Sequence, residues 1–213
     1  MENLTSSDDE SLIIWQPQLL SRLLYPNPVC LLSTSSGQAH NIMTISWLTP
    51  IDNNAHFICS IKSSRYSIEL LKSDKRFVLS IPYGVDICDN VLLVGSCSGR
   101  DVPDKFSHSG LRACRPGWHP LSASDTSVAH GQVASTRPGR TAAQTCTLAA
   151  YSHLRAVHEA GAHLLCTWTT MDLNHHHYLV QGTIEAAYIK KELWSGKSLI
   201  PSDKQPLLSF TGS

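Results

Sequence analysis

Three short clusters in this 213-residue chain carry side chains able to do chemistry. Thr44 and Ser46 stand two positions apart. Ser60, Ser63, Ser64, Arg65 and Ser67 crowd a second stretch. Ser96, Ser98, Arg100 and Lys105 surround the glycine-bounded run G-S-C-S-G at Gly95–Gly99. Small hydroxyls donate and accept hydrogen bonds while letting a ligand come close to the backbone. Arginine and lysine add positive charge, and a helix start adds free N–H groups and a favourable dipole. Together the clusters suit a phosphorylated ligand whose polar ring edge also needs donors. The chain shows no nucleophilic triad and no paired carboxylates.

These clusters need rigid elements to present them. His40–Trp47, H-N-I-M-T-I-S-W, alternates cleanly, with Met43, Ile45 and Trp47 on one side and Ile42, Thr44 and Ser46 on the other. That period of two predicts a half-buried strand, with Thr44 and Ser46 on a face that either lets a ligand approach or, as in an ordinary strand, meets water. Strands are also expected at Val29–Ser33, His56–Ile61 and Arg76–Pro82, with turns at Thr34–Gln38 and Pro50–Ala55; Gly37 is free to take a positive φ. Ser63–Ser73 reads as a helix capped by Ser63 or Ser64. Asp86–Val94 reads as a second helix, broken by Gly95–Gly99, and Asp101–His108 as a short helical turn. Strands return at Leu154–His158, Ala162–Met171 and Tyr178–Tyr188, with Asn174–His177 as a hairpin tip, and Pro206–Phe210 as a final strand. The fold class is therefore mainly β: one closed or nearly closed barrel with inserted helices. Residues 1–24 form a tail and a leucine-rich helical stretch, Leu12–Leu24, ahead of a single domain at 25–213. Arg112–Ala150 is poor in large aliphatics and reads as an irregular surface loop, lid or subunit arm.

Composition narrows the partners. Hydrophobic residues make up 42% and charged residues 16%, formal net charge is zero, and no basic run is present. Those values fit a soluble globular protein and argue against nucleic acid as a partner. No apolar run is long enough to cross a bilayer, and the acidic, polar start is unlike a targeting signal, so a cytoplasmic location is expected. The seven cysteines, Cys30, Cys59, Cys88, Cys97, Cys114, Cys146 and Cys166, contain no C-x-x-C and read as reduced thiols. His175-His176-His177 cannot all face one ion from a strand, so no metal site is assigned.

The segments N-I-M-T-I-S-W, S-I-K-S-S-R-Y-S-I-E-L-L and G-S-C-S-G-R-D-V-P-D-K-F resemble, in order, spacing and residue type, the flavin reductase-like family. This is the flavoredoxin-like branch of the FMN-binding split barrels. The resemblance covers about Tyr25–Leu111, with an echo at E-A-G-A-H-L-L, where Ala162 stands in place of the family's usual acidic residue; Arg112–Ala150 does not resemble the family's middle segment. The resemblance implies a homodimeric split β-barrel holding FMN near the dimer interface. It implies that Thr44 and Ser46 meet the isoalloxazine edge or ribityl chain. Ser60, Ser63, Arg65 and Ser67 would hold ribityl and phosphate, and Ser96, Ser98 and Lys105 would close over the flavin. Asn41, Met43, Ile45, Trp47, Ser64, Cys97 and Arg100 complete the cofactor-binding set by their places in the same segments. His163 is the candidate catalytic residue; the plain alternative is a strand histidine packed in the core. The activity implied is an NAD(P)H-dependent flavin reductase or related oxidoreductase, working with a second flavin, an acceptor protein or a small substrate. The alternatives are a flavin-binding electron carrier without NAD(P)H activity and a flavin-free interaction module.

Overall fold

Cys30 and Leu32, Met43 and Ile45, Phe57, Cys59 and Ile61, and Phe77 and Leu79 recur at every second position, so each set needs a shared apolar interior. The computed structural model, which describes residues 26–121, 149–200 and 208–210, supplies one. Its elements run β1 (Asn27–Pro28), β2 (Cys30–Ser36), β3 (Ala39–Ile45), β4 (Leu48–Pro50), β5 (His56–Lys62), α1 (Tyr66–Ser73), β6 (Arg76–Ile81), α2 (Cys88–Ser96), α3 (Lys105–His108), β7 (Ala113–Cys114), β8 (Ala156–Val157), β9 (Ala162–Asn174), β10 (His177–Ile189) and β11 (Ser209–Phe210).

Seven strands form one antiparallel sheet in the order β3-β2-β6-β9-β10-β5-β4. Its two margins, β3 and β4, are separated in sequence only by Ser46 and Trp47. Three Cα steps reach at most about 11 Å, so the sheet must curl until its margins approach each other. The Trp47 carbonyl, accepting from the Ser60 N–H at 2.9 Å, stitches this tie to β5. The alternating residues named above pack inside the curl with Cys166 and Val180, and Ile68 and Leu71 of α1 join them. The Trp168 indole donates to the Leu71 carbonyl at 2.8 Å and fixes that helix in place. Outside, Leu31 and Ile42 are covered by Val91 and Val94 of α2 and by Phe106 of α3. Val78 and Leu165 are covered by Tyr151, Leu154 and Cys114.

The strand and hairpin expectations are met with small shifts. The β2–β3 turn shrinks to Gly37-Gln38, with Gly37 at φ 58°. The hairpin tip between β9 and β10 is His175-His176. α1 starts later than expected: Arg65 is its N-cap and no side chain caps it, so neither Ser63 nor Ser64 plays that part. α2 runs through Gly95 to Ser96, past the expected break. The beginning of Arg112–Ala150 is not a loose loop. Ala113 and Cys114 pair with Val157 and Ala156, and the Trp118 ring stacks on His163 at 4.2 Å. Leu12–Leu24 and residues 122–148 lie outside the described residues. Among the described residues every cysteine is free, and burial pushes the Cys30 and Cys59 thiols up to about 12. No helix among them is long and apolar enough to cross a membrane.

Candidate functional site

A cavity of about 340 Å³ lies where β3, the end of β5, the start of α1 and the α2–α3 turn converge. Asn41 and Met43 reach it from the inward face of β3. Lys62, Ser64, Arg65, Tyr66 and Ser67 line it from the β5–α1 corner, and Cys97, Ser98, Gly99 and Lys105 from the turn. The Asn41 amide donates to the Ser67 hydroxyl at 2.7 Å, both groups being buried. That bond leaves Asn41 Oδ1, in a residue only 4% exposed, as a buried acceptor without a partner. Such an acceptor destabilises the protein by roughly 1–3 kcal/mol until something donates to it. Gly99 is pressed against the same group: a Cβ there would fall 2.8 Å from Tyr66 Cδ1 and would also strike the Asn41 amide. Arg100 sits behind the wall. It donates to the Ser64 carbonyl at 2.9 Å, pairs with Glu69 and covers the Tyr66 ring, clamping the turn onto α1.

The charges in this cavity are one-sided. Lys62, Arg65 and Lys105 line it, and no carboxylate does. Lys105 is 4% exposed, and its ammonium donates to the Cys97 carbonyl at 3.0 Å. Burial lowers its pKa, and the neighbouring Arg65 charge adds to the effect. A buried cation facing another cation is a poor structural element unless an anion joins it. The uncapped start of α1 contributes its own partial positive charge. The cavity is thus built for an anion that also carries a hydrogen-bond donor, as a phosphorylated polyol does.

The family model described as flavin reductase like domain matches residues 20–208. The chain belongs to the flavin reductase like domain family. Solved structures agree on the fold. An FMN-binding protein from Thermus thermophilus with bound 1-cyclohex-2-enone superposes with a TM-score of 0.66 at 18% identity, over 95% of this chain and 91% of that one. Flavoredoxin from Methanosarcina acetivorans gives 0.64 at 17% identity, over 92% and 84%. A protein with a split barrel domain from Shewanella frigidimarina gives 0.61 at 11% identity, over 87% and 81%. No curated protein matches the chain. Mainly β architecture of the split-barrel kind, expected from the sequence, is the observed fold.

Within this flavin reductase like domain the expected site residues divide. Asn41, Met43, Ser64, Arg65, Ser67, Cys97, Ser98 and Lys105 share the cavity. The other expected residues do not line it. The face of β3 expected to meet ligand is instead the face under α2: the Thr44 hydroxyl donates to the Val91 carbonyl at 2.7 Å, beside buried Ile42. It is the opposite face, Asn41 and Met43, that reaches the cavity. Ile45 packs in the barrel interior. Ser46 and Ser60 are half-buried near the margin tie, and Trp47 stacks on His177 at 5.5 Å. Ser63 is exposed, its N–H donating to the His176 carbonyl at 2.8 Å. The Ser96 hydroxyl donates back to Leu93, and Arg100 is the clamp already described. His163 is fully buried on β9. Its Nδ1 accepts from the Gly117 N–H at 3.1 Å and its Nε2 donates to the Val157 carbonyl at 2.8 Å. Burial pushes its pKa down to about 4, so it is a neutral packing group with both nitrogens bonded to backbone.

Lys62, Tyr66 and Gly99 were not singled out from sequence. Lys62 and Tyr66 stand inside the S-I-K-S-S-R-Y run, three positions before and one after Arg65, and that nearness is the available signal. Gly99 was visible as the end of G-S-C-S-G, but its close approach to Asn41 and Tyr66 is a tertiary fact.

Proposed function

We propose that this chain binds FMN in the cavity at the start of α1 and works as an NAD(P)H-dependent flavin reductase or related oxidoreductase. The observation that carries the reading is the pairing of three unmatched cations with a buried, partnerless Asn41 acceptor in one cavity. FMN fits both: its phosphate answers the cations and its ribityl hydroxyls can donate to Asn41 Oδ1. Arg65, Lys62 and the first turn of α1 would bind the phosphate, and Lys105 would lower the potential energy of that anion from the opposite wall. Met43 offers apolar contact to a ring, and Ser64 and Ser98 offer further hydroxyls. When bound, FMN supplies hydride acceptance and electron transfer, while the chain supplies binding and orientation. FMN-binding proteins among the structural neighbours support the same cofactor. NADH or NADPH as donor, and a second flavin, an acceptor protein or a small molecule as acceptor, belong to this proposal.

A homodimer and a cytoplasmic location are further parts of the reading. Trp47 and Leu173, 41% and 59% exposed, present apolar surface to a second copy, and the free thiols suit a reducing compartment. Purified protein tests the set. The expected results are an absorption spectrum with flavin bands after FMN addition, consumption of NADH or NADPH with FMN present, and a dimer by light scattering. FMN binding without oxidation of either nucleotide would make the chain an electron carrier. Absence of any FMN-induced rise in Tm would leave an interaction module.

A further inference from the structure

Among the described residues Cys30, Cys59, Cys114 and Cys166 are buried, and Cys88 and Cys97 are half-buried. Burial pushes the Cys30, Cys59 and Cys114 thiols up to about 12 and the Cys166 thiol well above its ordinary value. Those four are inert packing groups. Of the six, only Cys97 lines the cavity at the start of α1. It closes α2 as the C-cap, and its Sγ makes one long contact, 3.5 Å to the Leu93 carbonyl. The other walls decide what can reach that sulfur. Lys62, Arg65 and Lys105 present positive charge with no carboxylate against it, and the Lys105 ammonium is held at the Cys97 carbonyl. Asn41 Oδ1, buried and without a partner, needs a donor. A reagent that carries both carboxylates and amide N–H groups answers both demands, and the thiol gives it something to bond to.

We propose that Cys97 is a modification site for small, carboxylate-bearing peptide disulfides, the class of glutathione disulfide, and that the adduct closes the cavity to flavin. The second half rests on the reading of this cavity as the FMN site. In the step, the Cys97 sulfur gives up its proton and attacks one sulfur of the disulfide. The bond between the two reagent sulfurs breaks, a new S–S bond forms to Cys97 Sγ, and the departing half takes the proton as a free thiol. The protein thiol is oxidised and the reagent disulfide is reduced. The bound half brings its carboxylates to Lys62, Arg65 and Lys105 and an amide N–H to Asn41, the groups that phosphate and ribityl would otherwise engage. Adduct and FMN therefore exclude each other, and excess thiol reverses the exchange.

The test treats the full chain with glutathione disulfide, neutral hydroxyethyl disulfide and cationic cystamine at equal concentration, and follows the adduct by intact mass and peptide mapping. Cys97 is the expected residue, modified by glutathione disulfide about tenfold faster than by cystamine, with the preference shrinking in high salt. Arg65→Gln is expected to slow glutathione disulfide by about threefold and to leave hydroxyethyl disulfide within about twofold. Saturating FMN should protect Cys97, and the adduct should weaken FMN binding by about tenfold or more, with dithiothreitol restoring it. Cys97→Ser, whatever its own affinity for FMN, should not respond to the treatment. Modification elsewhere with Cys97 untouched, cystamine reacting as fast as glutathione disulfide, or an adduct at Cys97 that leaves FMN affinity unchanged would each overturn the proposal. Charge-selective modification of Cys97 in a chain that binds no FMN would remove the proposed function, and the competition with it, while the modification site stands.

Discussion

The two ends of α1 border cavities of opposite character. The helix is eight residues, about 12 Å, long. At its start, Lys62, Arg65 and Lys105 line about 340 Å³ without a carboxylate. At its end, Ser35, Asp74, Arg76 and His153 are among the walls of a larger cavity of about 470 Å³. There the charges answer one another. Asp74 accepts from the Arg76 N–H and Nε, each at 3.0 Å, and from His153 Nε2 at 2.6 Å. Burial alone would raise the Asp74 pKa, but these partners outweigh it and hold the carboxyl below its usual range. Arg76 also donates to the Ala150 carbonyl at 2.8 Å, tying the barrel to the segment outside it. Volume therefore is not what distinguishes the site proposed for flavin; unmatched charge is, because the ions at the other end of α1 already have partners.

Four measurements sharpen or break this contrast. The largest effect belongs to a group settled by staying neutral. The His163 pKa is about 4 in the fold, against an ordinary value of 6.5. The unfolded chain therefore binds more protons between those values, and stability should fall by about 3 kcal/mol as pH drops from 6.5 to 4. Urea unfolding at both ends of that window reads it, and His163→Gln should flatten much of the slope. Next, Lys105→Met should raise the Kd for FMN by about thirtyfold while stabilising the ligand-free protein by about 1 kcal/mol, since it removes a buried cation. Titration and thermal melts give the two numbers, and a loss of stability would show that Lys105 is already matched. Asp74→Asn should do the reverse, lowering stability by about 1.5 kcal/mol with FMN affinity unchanged. The smallest effect is expected from Thr44→Val, a loss of about 1 kcal/mol for the hydrogen bond to Val91, again with FMN affinity unchanged. A large change in affinity there would return the outward face of β3 to the site.

How far the sequence was legible follows the same physics. Alternation in Phe57–Ile61 and Phe77–Leu79 is a local signal, and the strands formed where it occurs. The same alternation divided β3 into two faces without saying which one meets ligand. That choice depends on α2, which begins more than forty positions later and claims Thr44 through Val91. Arg65 and Lys105 stand near small hydroxyls in the sequence, and the structure brings both to one cavity. The task of Arg100 was not readable, since Glu69 and Tyr66 are brought to it only by the fold. His163 shows the remaining difficulty: a histidine in a strand has the same letter whether its imidazole meets substrate or two backbone groups.

The two-residue tie of Ser46 and Trp47 has a consequence for anyone who would recut the molecule. It is the short covalent tie between the two sheet margins, so new termini placed there by circular permutation would leave their approach to non-covalent contacts such as the Asn41–Ser67 bond and the shared apolar interior. The outer edges of β3 and β4, which already carry unpaired N–H and C=O groups, would then be freer to pair with neighbouring chains. The His175-His176 tip joins strands that stay paired to each other along their length, and an opening there leaves that ladder in register.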